Sequence, residues 1–227
     1  MRSRRPIGAR RRVPARVMLV VWAAALATAA PQANGAGAAT RRACPPRHAK
    51  VIAASGQAVA FRIGAAVYGC ARGRRPVKLG YLHRPSDDLE PEYDNVRRVR
   101  VAGPYVAYEH EYGDPNSASY RIQVRDLRTR RYRRDLPTGN LTDPSRLAHG
   151  DSGVGPATRI VMTPRSSVAW IVRNIYSPDV DYEVWKANDD KPMMLASGSD
   201  VDHRFLSIRR HQVRWRQGGR IHTSYIR

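Results

Sequence analysis

Four segments of this chain share one pattern, a valine, one residue and then an aromatic ring: GQAVAFRIG at 56–64, GPYVAYEHE at 103–111, RSSVAWIVR at 165–173 and RHQVRWRQG at 210–218. Their anchors, Val59, Val106, Val168 and Val213, stand 47, 62 and 45 residues apart, and the longest interval holds an extra Gly/Asp/Ser/Pro stretch over 138–156. Alternation along an extended chain puts Val59 with Phe61, Val106 with Tyr108, Val168 with Trp170, and Val213 with Trp215 on one face. The opposite face carries Ala60, Ala107 and Ala169, small enough for a neighbouring sheet to approach closely. Both faces need cover, because apolar surface left in water costs about 25 cal/mol per Å², so each unit needs neighbours built like itself. In the fourth segment Arg214 stands where the alanine would be, which suits a terminal sheet with a wet outer face.

The flanks repeat as well. A short apolar stretch precedes each anchor (AKVIAAS, RRVRVAG, TRIVMTP, RFLSIRR), and two more follow it in the first three units: VYGC then RPVKLG, YRIQVRDL then RRYRRDL, and YEVWKAND then KPMMLASG. The fourth unit has only IHTSYI after its anchor. Strands at this spacing, separated by turn residues, form four-stranded sheets repeated along the chain.

The V-A-aromatic strands, the Arg125-Asp126-Leu127-Arg128-Thr129 turn, and Val213-Arg214-Trp215 followed by Gly218-Gly219 resemble the beta-propeller repeat superfamily. The resemblance is nearest to a group of uncharacterised secreted propeller-like proteins of high-GC Gram-positive bacteria, and it covers residues 44–227. It implies radial sheets in a ring, yet closed rings have about four or more blades. The expected fold is therefore all-β: a propeller-like stack of about three and a half four-stranded antiparallel sheets, as an open or minimal ring. A two-sheet sandwich would accommodate the strands but does not predict the repeat.

The start of the chain gives an address. Seven arginines and no acid fall within residues 1–16, and the apolar stretch VMLVVWAAALATAA follows at once. That charge step reads as a signal peptide over residues 1–29, cut after Ala29 within the small triplet Ala27-Thr28-Ala29. The apolar stretch is too short for a membrane-spanning helix, which takes about 20 residues, so no transmembrane anchor is expected in the mature chain. Residues 30–43, small and polar, read as a disordered lead, and residues 44–227 as the repeat domain. The protein is expected outside the cell or on the cell wall, and the only two cysteines, Cys44 and Cys70, are expected to form one disulfide there.

The whole chain carries 40 Lys and Arg against 19 Asp and Glu, a net of +21. Removing the seven leader arginines leaves 33 bases against 19 acids, a net of +14. Such an excess puts polyanions first among charged partners, although arginine so far outnumbers lysine, with only Lys50, Lys78, Lys186 and Lys191, that GC-rich coding accounts for part of it. The densest basic cluster is Arg125, Arg128, Arg130, Arg131, Arg133 and Arg134 around Tyr132, a hairpin whose arginines and ring suit a polyanion.

Catalytic signatures are sparse. Gly150-Asp151-Ser152-Gly153 matches the string around the nucleophile of chymotrypsin-like proteases, but too little chain precedes it and the inserted loop explains it as a turn. Asp87, Asp88, Glu90, Glu92 and Asp94 lack EF-hand spacing and read as a solvated loop facing Arg97, Arg98 and Arg100. The histidines show no metal spacing, and no metal or cofactor is expected. The resulting expectation is a secreted binding or scaffold module with an unidentified extracellular ligand or protein partner, a monomer or weak homo-oligomer without assignable activity. Its rivals are an extracellular hydrolase on the same sheets and a polyanion binder using the Arg-rich hairpin.

Overall fold

The computed structural model of the chain describes residues 44–82, 93–114, 117–140, 153–177, 179 and 181–227. The leader of residues 1–29 and the lead of 30–43 lie outside them, as does the acidic run apart from Asp94. The described residues fall in one compact unit. They form fifteen strands and no helix, and none of their segments is a helix long and apolar enough to cross a membrane.

The strands follow the repeat. The first unit is β1 (Lys50–Ala54), β2 (Ala58–Ile63), β3 (Ala66–Ala71) and β4 (Val77–Tyr81), and the second is β5 (Tyr93–Ala102), β6 (Tyr105–Asp114), β7 (Ser117–Asp126) and β8 (Arg131–Pro137). The third is β9 (Ala157–Met162), β10 (Val168–Asn174), β11 (Asp181–Ala187) and β12 (Met193–Gly198). The fourth is β13 (Val201–Arg209), β14 (Gln212–Gln217) and β15 (Arg220–Tyr225). All four valine anchors sit on the second strand of their unit. Within each unit, consecutive strands pair antiparallel as hairpins.

The sheets number eight, four and three strands, and none is closed. This departs from a row of separate four-stranded sheets. Tyr81 at the end of β4 pairs in parallel with Asn95 of β5, one register pair that joins the first two units edge to edge while leaving their internal hairpins intact.

Face alternation holds in every unit. Ala60 is buried with Val106 and Tyr108 in one core, Ala107 with Val168 and Trp170 in the next, and Ala169 with Val213 and Trp215 in the third. The alanine face of each unit thus receives the valine and ring of the unit after it. In the fourth unit Arg214 is half-buried and pairs in register with Ser207 and Thr223. At the other end, Phe61 stacks on Tyr68 at 5.7 Å on the face carrying Cys70, which is bonded to Cys44 with 6.3 Å between the Cα atoms.

First strands carry an irregularity in each unit. Pairing skips Ile52 in β1, Arg98 and Val99 in β5, Thr158 in β9, and residues 202–205 in β13. Arg98 is held at φ 54°, in the left-handed region. Such bulges re-aim side chains out of strict alternation, and they decide where the basic residues of these strands point.

Candidate functional site

The arginines of the hairpin divide into engaged and free. Val124 and Arg134 pair in register, and Arg133 is skipped before Arg125 meets Tyr132. That bulge turns Arg134 inward with Val124. Arg134 is buried, donating from Nε to the Asp189 carbonyl and from its terminal nitrogens to Asn188 O, Ser166 O and Ser166 Oγ. It therefore ties the third unit's loops to β8 and presents no free donor face to a ligand.

Arg125 donates to the carbonyls of Arg130 and Lys78 and lies 4.5 Å over the Tyr132 ring. Arg128 pairs with Asp126 at 3.1 Å. Burial pushes the Asp126 carboxyl up, but the Arg128 side chain and the amides of Arg128 and Thr129 outweigh that and hold it below the usual carboxylate range. Arg130, Arg131 and Arg133 are exposed around Tyr132, with Arg133 3.9 Å from Asp126.

A second basic group lies on the first strands of the second and third units. Arg98 Nε donates to the Ala157 carbonyl at 3.2 Å, and Arg159 donates to the carbonyls of Leu206 and Arg204 at 3.1 and 2.8 Å. Each reaches forward to the first strand of the next unit. Arg100 donates to Val99 O, and its guanidinium is lowered below its ordinary range by burial first, then by the charges of Arg159 and Arg98. Three like charges are thus gathered on two adjacent strands, all with exposed surface. None of the three forms an ion pair with a carboxylate among the described residues.

Sequence reasoning assigned Arg98 and Arg100 to ion pairs with the acidic loop and did not single out Arg159. The signal was present: a basic residue stands immediately before an apolar one in three of the first strands, Lys50-Val51, Arg98-Val99 and Arg159-Ile160. In the fourth unit Arg204 comes two before Leu206 and is exposed.

Several carboxylates among the described residues are engaged by neighbouring groups. Glu109 is fully buried, accepts the Ala157 amide at 2.9 Å, and is pushed up to about 7 chiefly by burial. Glu111, on the same strand, pairs with Arg97 at 2.8 Å. Glu183 is bonded to Asn174 and to the Trp185 indole, a structural role. Asp94 meets His110 Nε2 at 2.6 Å, and the imidazole also packs against Tyr112. Among the described residues no group of three or more His, Cys, Asp or Glu could hold a metal ion.

Ser152 lies outside the described residues. Its neighbour Gly153 is buried at φ 80°, and a Cβ there would collide with Tyr120 O and Thr138, so this part of the string is a packed turn. Thr138 and Gly155 are joined by a 2.8 Å hydrogen bond that closes the base of the inserted loop.

Compared with known proteins, the chain matches no family model, no curated protein and no solved structure.

Proposed function

We propose that this chain is an exported, propeller-like binding module whose ligand is anionic and sits on the first strands of the second and third units. The observation that carries this reading is the gathering of Arg98, Arg100 and Arg159 without an ion-paired carboxylate among the described residues. Like charges held close together cost free energy, and an anion that bridges them removes that cost while using guanidinium donors left over from the backbone contacts. The leader-like start and the Cys44–Cys70 bond support export. The seating of each alanine face under the next unit's valine and ring supports the propeller-like arrangement.

A second reading places the anion on the hairpin, favoured by the exposure of Arg130, Arg131 and Arg133 around Tyr132. Fluorescence anisotropy with a labelled heparin oligosaccharide separates the two. On the first reading Arg100→Gln weakens binding and reduces the salt dependence by about one released counterion, while Arg130→Gln with Arg131→Gln changes little. The reverse pattern assigns the ligand to the hairpin. Absence of heparin binding at low salt, or equal binding by every variant, overturns the anionic-ligand reading.

A further inference from the structure

The edges of the four units are not treated alike. The fourth strands β4, β8 and β12 each carry a bulge, with Leu79, Arg133 and Leu195 skipped in their pairing, and of these β8 and β12 are sheet edges. Bulges twist an edge away from further pairing. In the sheet of the fourth unit the outer strand is β15, and its ladder with β14 runs unbroken from Gln212↔Tyr225 to Gln217↔Arg220. A strand that corresponds to the covered third strand of the other units is therefore the outer one here, without their device for blunting an edge.

The polar groups along this edge have a definite phase. The Ile226 amide donates to the His211 carbonyl, and in an antiparallel ladder bonded and non-bonded pairs alternate. The N–H and C=O of Ile221, Thr223 and Tyr225 consequently turn away from β14. Consistent with this, Lys186 Nζ reaches the Tyr225 carbonyl from outside at 2.8 Å. Residues 221–225, IHTSY, contain no Lys, Arg, Asp or Glu and no proline, and Ile221 and Tyr225 are 47% and 62% exposed.

We propose that β15 pairs with β15 of a second copy, antiparallel about a two-fold axis at Thr223, to form one six-stranded sheet. Only registers that set outward-turned residues opposite one another satisfy the free groups, and the one with fullest overlap is centred on Thr223. It places Ile221 opposite Tyr225 twice, Thr223 opposite Thr223, and His222 opposite Ser224. These are β-branched, aromatic and hydroxyl pairs of the kind that stabilise sheets, with no like charges directly opposed. The Tyr225 carbonyl has a second lone pair, so Lys186 can stay bound. From Arg204 onward the chain contains seven arginines and no acid. The pairing is thus opposed by net charge and strengthens as salt screens it.

Sedimentation velocity on the purified protein tests this, at low and high sodium chloride. Expected is a concentration-dependent dimer that tightens with salt. Thr223→Pro removes an N–H that does not serve β14, and the two copies together lose two hydrogen bonds, so the dissociation constant rises by about tenfold or more. Ile221→Lys, which brings charge to the edge without touching the backbone, has the same effect, and circular dichroism confirms that both variants fold. A monomer at all concentrations overturns the proposal. So does a dimer that survives both substitutions, or one that dissociates as salt rises.

Discussion

Glu109 and Ala157 meet across the seam between the second and third units: carboxylate Oε1 accepts the Ala157 amide hydrogen at 2.9 Å, while the buried Oε2 has no hydrogen-bond partner among the described residues. Arg98 closes on the carbonyl of the same alanine, so one backbone residue of β9 is held from both sides. The contact fixes the position of β9 against β5, and with it the distance between Arg100 and Arg159. Chemistry at the arginine group and stability of the seam are therefore linked.

Burial pushes the Glu109 carboxyl up to about 7 from an ordinary 4.5. The folded state then holds its proton where the unfolded state has lost it, so stability is full below about pH 4.5 and falls as pH rises through about 7. The accumulated loss is about 3 kcal/mol. Glu109→Gln keeps the acceptor for Ala157 and abolishes the titration. Its melting temperature should match the parent near pH 4.5 and exceed it by roughly 5–10 °C at pH 8. Thermal melts across that range decide it, and a difference that stays flat with pH would remove Glu109 as the titrating group.

The hairpin arginines should separate by stability rather than by charge. Arg134→Ala strips donors from the carbonyls of Ser166, Asn188 and Asp189 and opens a space beside them, a loss of roughly 3 kcal/mol. Arg131→Ala, at an exposed site, should stay within about 0.5 kcal/mol. Urea unfolding of the two variants reads this directly. Equal midpoints would mean that Arg134 does not anchor the third unit's loops.

Why those two residues differ shows where reading the sequence stops. The V-x-aromatic alternation and the alanines opposite were legible because period-two patterning is local, and Ala107 and Trp170 do meet in one core. The bulge at Arg133 was not, since in RRYRR no apolar residue marks the parity, and one skipped residue reverses which arginine faces inward. Arg98 at φ 54° is the same problem on an inner strand. Nor could local pattern reveal that Arg100 and Arg159, 59 residues apart in the chain, lie within electrostatic reach of each other, because only the packing of β5 near β9 brings them together.

The Cys44–Cys70 bond lies in the first unit, β1–β4. It fastens the segment before β1 to β3, on the face where Phe61 and Tyr68 stack. With the cysteines 26 residues apart, cross-linking removes enough unfolded-chain entropy to stabilise by about 3.5 kcal/mol. Cys70 is 1% exposed and Cys44 half-buried, so Cys44→Ala cuts the link with little cavity, whereas Cys70→Ala adds a packing loss of about 1 kcal/mol. Reductant should therefore lower the melting temperature of the parent to that of Cys44→Ala and leave the variant unchanged. If the reduced parent instead keeps its melting point, the bond does not constrain the unfolded chain, and the first unit owes its stability to the core it shares with the second.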